Sequence, residues 1–468
     1  MTVAHELARY ALEMNYNSLP EEVVLKVKQQ ILDSLGCSIG GYSSPASLMV
    51  QEVVDDLGCR GESTIIGSGK KTSCVHATLV NGVMLRYLDY MDTFVMEIPG
   101  GVPPGNHSGG HQCEVIPGAL AVAEKQHSNG KDFIAAVVAG YEIGCRFALG
   151  EKNKNMEQRG WNVDTRAGMV MPLVAGKLLG LTAEQMENAV GISGSQSPVL
   201  GILDAPGEEY TMAKNLRFPI PASEGIMAAL MAGKGFTGPR RMFEGNRGLL
   251  QQLFQREYDV DKLVGGGKEF NILKVQVKPY CADNETQGHI TATIDLVKEH
   301  NIKPEDIARI RLWVPSRSLE HTGDPAKKYP TNKETADHSS YYLTAIGIID
   351  KVVGPGQFTK EKLEDPMVRQ LIDRVTIAVD PSLEHTVVGG RAEITIAGGA
   401  VYTRQVDYFK GHYKNPMKDE ELQEKFRGMA SAYFDDETVR GLIGTIYDLE
   451  KLNDVGRLMA RLTFPRKA

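Results

Sequence analysis

Between Tyr87 and Gly118, the side chains of Asp89, Asp92, Glu97, His107, His111 and Glu114 fall in a stretch broken by Gly and Pro. Carboxylates and imidazoles exchange protons near neutral pH, and irregular backbone beside rigid elements is where such groups gather. The pattern predicts general acid–base work, with Asp89, Asp92 and His111 as its candidates. Asp89 and Asp92 stand at i and i+3 where an apolar helical run ends, so they share a face if the helix reaches that far. If it does not, they solvate a helix end. His107 and His111 have the i, i+4 spacing of metal ligands, but Gly109 and Gly110 between them oppose a helix and argue against a metal site.

Cations to hold an anionic ligand are present in Lys214, Arg217 and Arg166, although most such side chains are merely solvated. Lys278-Pro-Tyr-Cys281 runs on to His289 at the lead into a helical pattern, and Ala336-Asp-His-Ser-Ser-Tyr-Tyr342 leads into another. Helix N-termini favour anions, so both leads are candidates for meeting a carboxylate. The competing reading of His289 is a cap or a polar core residue. No Gly-x-Gly-x-x-Gly fingerprint follows a strand, so a nicotinamide cofactor is not expected.

These groups need elements to position them. Ser18-Leu-Pro-Glu21 reads as a capping box, followed by Val23, Val27, Ile31, Leu32 and Leu35 at helical spacing. The same grammar returns at 77–88, 118–125, 131–148 and 223–234, and Thr182-Ala-Glu-Gln185 is a second capping box. After Gly265-Gly-Gly-Lys the period changes: 273–278, 307–314, 375–379 and 391–397 alternate like strands, with helices over 290–297 and 342–351 between them. Helical periodicity resumes near Asp419. The expected fold is mainly α with an inserted α+β domain: a helical domain from residues 1–271 and 409–468, and an α+β part over 272–408.

Composition removes other function classes. A formal charge of -7 and a pI near 5.9 give no basic face for nucleic acid. No run of about 18 apolar residues and no secretory leader is visible, so a cytoplasmic protein is expected. The six cysteines form no Cys-x-x-Cys pair and are read as free thiols; Asn106-His-Ser and Asn284-Glu-Thr are read as chance sequons.

Taken in order, Ile31-Leu-Asp-Ser-Leu-Gly, Leu88-Asp-Tyr-Met-Asp-Thr93, His111 before Gly118-Ala-Leu-Ala-Val-Ala-Glu, Lys177-Leu-Leu-Gly-Leu-Thr, Lys214 before Glu224-Gly-Ile-Met, Lys278-Pro-Tyr-Cys, Ala336-Asp-His-Ser and Gly411-His-Tyr-Lys-Asn-Pro resemble the MmgE/PrpD family. That family holds 2-methylcitrate dehydratase, cis-aconitate decarboxylase and iminodisuccinate epimerase. The resemblance implies a helical domain with an α+β lid, a homodimer, a small carboxylate substrate, and no metal or organic cofactor. It implies pocket positions and catalytic roles for Asp89, Asp92, His111, Lys214, His289 and Tyr342; Arg166, Asn162, Lys278, Cys281 and His107 are expected beside them as substrate contacts. The expected activity is a carbon–oxygen lyase like 2-methylcitrate dehydratase, abstracting a proton beside a carboxylate; the alternatives are an epimerase, a cis-aconitate decarboxylase-like enzyme, or a silent metabolite-binding scaffold. Two departures stand out. Asn162 occupies the place where the family carries an imidazole, and Asn cannot take up a proton. The 93–111 linker is longer than usual and brings its own Glu97 and His107.

Overall fold

The computed structural model describes residues 1–98, 107–265 and 269–464; the Asn106 sequon and most of Gly265-Gly-Gly-Lys lie outside the described residues. The molecule is mainly helical, with a small mixed four-stranded sheet in its C-terminal half.

Apolar residues at helical spacing drive the first core. The helix Glu21–Gly41 buries Val23, Val27, Ile31, Leu32 and Leu35, and the helices Cys74–Tyr87, Val115–Lys125, Gly130–Leu149, Ala167–Leu178 and Pro219–Gly233 pack around it and one another. Small residues let their backbones approach closely. The end of the chain joins the same core: the helix Asp419–Ala430 lies along Glu21–Gly41, and Phe426, Met429, Leu442 and Leu458 are buried with residues from Val3 to Cys281. Gly36 makes the notch for this contact, since a Cβ there would stand 2.7 Å from Met429 Cε.

The second core, from Ala282 to Ile394, lies on one face of the sheet. Its strand order is Val375–Val379, Ile307–Val314, Gly390–Ile396, Val401–Val406; the first pair is parallel and the others antiparallel. Ile310, Leu312 and Val314 point inward while Arg309 and Arg311 point to solvent, the alternation of a sheet covered on one side. The helix Gln287–Glu299 covers that inner face, with Ser340–Asp350 and Pro366–Arg374 behind it.

Several expectations are corrected. The Ser18 capping box does not form: Ser18 closes a 3-10 turn on Asn15, and the helix begins at Glu21 after Pro20, with no side-chain cap. The Thr182–Gln185 box does form. Residues 273–278 are no strand. After a 3-10 turn at Asn271–Lys274 the backbone crosses between the two cores, and Gln276 bridges singly to Thr93 at 2.9 and 2.8 Å. From Val275 to Lys278 every side chain is buried, so alternation had no solvent face to report. Conversely, part of the 93–111 linker is a hairpin, Phe94–Glu97 against His107–Gly110, and Val401–Val406 is a strand without an advance signal, being half-exposed at the sheet edge.

Candidate active site

The helix Cys74–Tyr87 stops just short of Asp89, whose backbone turns into the left-handed region at φ 47°. Asp tolerates that conformation better than most side chains, and the turn sends its carboxylate away from the helix. Asp89 and Asp92 therefore share no helix face, and they serve different neighbours. Lys214 Nζ, from the 3-10 turn Met212–Leu216, stands 2.8 Å from Asp89 Oδ2. Lys278 Nζ, at the end of the crossing segment, pairs with Oδ1 and also donates to the Asp89 carbonyl at 3.1 Å. All three residues are buried. Burial by itself would raise the Asp89 carboxyl, but Lys214 and Lys278 outweigh it and hold the group well below the usual carboxylate range.

Lys214 also reaches the second core. Its Nζ is 3.1 Å from Asp337 Oδ1 and 3.2 Å from His338 Nδ1. Asp337 Oδ1 lies 2.6 Å from that same ring nitrogen, while its Oδ2 pairs with Lys333 at 2.7 Å. The other face of the His338 ring looks toward acids: Nε2 is 3.4 Å from Asp283 Oδ2 and 3.7 Å from Asp89 Oδ2. Burial, reinforced by the Lys214 charge, lowers the His338 value, so the ring is neutral at pH 7. Three ammonium groups thus bracket Asp89 and Asp337 where the two cores meet.

A second polar cluster adjoins the first. Asp204 pairs through Oδ2 with Arg217, which also binds Asp164 at 2.6 Å. His321 lies 3.3 Å from Glu285 and 3.7 Å from Asp204; although burial lowers it, those carboxylates prevail and push it up to about 10. Arg317 binds Glu285 at 3.0 Å and pairs with Glu157, tying a short helix of the second core to a turn of the first. A cleft of about 350 Å³ opens beside this cluster, with Asn162, Asp204, Arg317 and His321 in its walls.

Of the residues singled out from sequence, the structure brings Asp89, Lys214 and Lys278 together. Asp92 is instead held by the Tyr141 hydroxyl at 2.6 Å and the Cys113 N–H at 3.1 Å, and burial pushes it up to about 6. His111 bonds through Nδ1 to the Asp92 carbonyl at 2.7 Å, and burial, with Arg86 and Lys278 nearby, keeps it neutral. Arg166 donates to the Gly109 carbonyl, fitting against Gly110 at φ 142°, where a Cβ would collide with the guanidinium. Asn162 caps the 3-10 turn that carries Asp164 and Arg166. His107 faces Glu285 at 3.3 Å rather than His111.

His289, Tyr342 and Cys281 make no hydrogen bond or ion pair with the Lys214 cluster. His289 is buried under the sheet with neither ring nitrogen partnered, Tyr342 donates to the Gln357 carbonyl, and burial pushes the Cys281 thiol well up. Sequence reasoning missed His338, Asp283, Asp204, Glu285, His321 and Arg317 as site residues. For His338 a signal existed, a carboxylate and an imidazole adjacent in Ala336-Asp-His-Ser, and Asp283 and Glu285 stand within the lead from Lys278 to His289; Asp204, Arg317 and His321 come from segments without a local pattern.

Residues 5–261 match the model of the MmgE/PrpD N-terminal domain, and residues 280–449 match that of the MmgE/PrpD C-terminal domain. The chain belongs to the MmgE/PrpD family. The second match runs through the helices Asp419–Ala430 and Asp436–Tyr447, which pack in the first core, so the boundary between the two matches is not a packing boundary. Among curated relatives, cis-aconitate decarboxylase of Aspergillus terreus is 24% identical over 100% of this chain and 97% of its own length. Human cis-aconitate decarboxylase is 26% identical over 96% of this chain and 92% of its own. The mitochondrial 2-methylcitrate dehydratase of Yarrowia lipolytica is 22% identical over 81% of this chain and 75% of its own.

Proposed function

We propose that this protein is a lyase acting on a small di- or tricarboxylate, and that its reaction is decarboxylation of the kind named in its Aspergillus and human relatives. One observation carries the reading: the buried contact of Lys214 with Asp89, Asp337 and His338 at the meeting of the two cores. Expelling a carboxylate as carbon dioxide leaves an electron pair on carbon, and ammonium groups fixed in a dry site stabilise that developing charge without reorganising. In an unsaturated tricarboxylate the bond to one carboxyl group breaks, its electrons shift along the neighbouring double bond, and the far carbon takes up one proton. One carbon dioxide leaves for each proton gained. His338 is the proton carrier in this scheme: Asp337 fixes its Nδ1, and its lowered value makes the imidazolium a ready donor once Nε2 has taken a proton from solvent. Asp89 stays ionised and holds Lys214 and Lys278 in place. Residues 272–408 act as the lid, with substrate entering by the cleft beside Asn162 and Arg317, and the active form is a homodimer.

This departs from dehydration, the activity expected from the motifs alone, because decarboxylases cover the chain more fully among these relatives. Dehydration is the second reading, supported by the Yarrowia relative; there a proton is taken from the carbon beside a carboxylate and hydroxide leaves from the neighbouring carbon, so that one water is lost as the double bond forms. Purified protein incubated separately with cis-aconitate and with 2-methylcitrate in deuterated water decides between them by NMR and gas release. Carbon dioxide with one deuteron incorporated is the expected result. Water loss from methylcitrate without gas would shift the assignment to a dehydratase, and silence on every polycarboxylate would defeat both.

A further inference from the structure

The polar cluster beside the cleft is more ordered than an ion-pair network requires. Asp204, Asp283, His321 and His338 each have one polar atom held from behind. Arg217 takes Asp204 Oδ2, the Glu285 N–H donates to Asp283 Oδ1 at 2.8 Å, Glu285 Oε2 lies 3.3 Å from His321 Nδ1, and Asp337 Oδ1 lies 2.6 Å from His338 Nδ1. The remaining atoms of Asp204, His321 and His338 are turned toward one another, and that of Asp283 toward His338. His321 Nε2 and His338 Nε2 stand 3.7 and 3.9 Å from the same oxygen, Asp204 Oδ1, and His338 Nε2 stands 3.4 Å from Asp283 Oδ2. Asp204 Oδ1 is buried and has no hydrogen-bond partner, and the Asp204 side chain is only 9% exposed. These spacings are long for hydrogen bonds and close to the separation of two donor atoms on one metal ion.

We propose that Asp204, His321 and His338 form a binding site for a divalent transition ion of the zinc type, with Asp283 beside His338. Two imidazoles and a carboxylate suit such an ion, and a carboxylate on the far nitrogen of each imidazole is the arrangement that fixes the tautomer of metal-bound histidines. Asp204, His338 and His321 offer donor atoms all within 4.8 Å of one another, and Asp204 and His321 line the cleft, which gives the ion an entry path. The ion must displace the proton that the carboxylates hold on His321 and the Tyr210 hydroxyl, 3.0 Å from His321 Nε2 and 2.8 Å from Lys327 Nζ. Lys327, Arg217 and Lys214 are cations nearby, and Asp283, Glu285 and Asp337 oppose them around the three donors. An ion at His338 Nε2 occupies the lone pair that otherwise takes a proton, so metal loading and proton carriage exclude each other there.

The test reads binding alone, so its outcome is separate from that of the proposed decarboxylation. Chelator-stripped protein is titrated with cobalt(II) and followed by visible absorption, then challenged with zinc(II). One equivalent of cobalt with intense d–d bands, displaced by zinc, is expected; Asp204→Asn and His321→Gln should each weaken binding by about tenfold or more, whereas His127→Gln, an exposed residue far along the chain paired with Asp454, should not. Circular dichroism checks that the variants fold, and the wild-type titration stands without them. Absence of those bands at millimolar cobalt, or one bound equivalent indifferent to both site substitutions in folded protein, would overturn the proposal.

Discussion

A lysine ammonium at 1% exposure persists only where acceptors replace its lost water, and Lys214 has two carboxylates and an imidazole doing so. Lys214→Met leaves Asp89 and Asp337 each short of a cation. Breaking a buried pair from one side costs about 3–5 kcal/mol, and losing a preorganised cation costs roughly a hundredfold or more in turnover; urea unfolding and kcat/KM on the identified polycarboxylate check the two figures separately. His338→Asn keeps a polar side chain but removes the proton carrier. A loss of about a hundredfold to ten-thousandfold in kcat is expected, and single-turnover kinetics would show whether the chemical step carries it. Asp89, Lys214 and Lys278 are legible because their motifs are ordered along the chain. His338 lies in a legible motif, Ala336-Asp-His-Ser, but its role depends on which way its ring faces, and that is decided by Asp337 and Lys214.

Elements account for the remaining differences between sequence and structure. Long amphipathic helices and the one-faced strand Ile307–Val314 were readable because one side of each meets solvent or a polar layer and leaves a period. The segment 275–278 has no such side, and its alternation of Lys and Val imitated a strand. The resemblance implies a catalytic role for His289, but the helix Gln287–Glu299 turns it into the apolar layer under the sheet, nearer the competing reading of a polar core residue. Burial lowers it to about 3. The folded value lies below the unfolded one near 6.5, so stability is complete above about pH 6.5 and declines as the pH falls toward 3, by about 1.4 kcal/mol per unit for this one group. His289→Leu should remove that slope, measured as the urea midpoint at pH 4 against pH 7. On the first core, Phe426→Ala should cost about 3–5 kcal/mol, because its ring fills the contact with the helix Glu21–Gly41; thermal unfolding would report it.

For the whole molecule, no helix among the described residues is long and apolar enough to cross a membrane. Sedimentation velocity should return twice the chain mass of 51.2 kDa if the proposed homodimer is right; a single-chain mass at micromolar concentration would reject it. The notch at Gly36 also bears on how the protein is made. The helix that fills it ends at Ala430, about 390 residues after the notch-bearing helix ends at Gly41, and a ribosome adding roughly 5–20 residues per second needs on the order of 20–80 s to cover that distance. Throughout that interval the nascent chain carries an uncovered apolar groove, whatever has already assembled around it. Closure of this contact is thereby placed last by the order of the sequence, and a chain cut before residue 419 would leave the groove open.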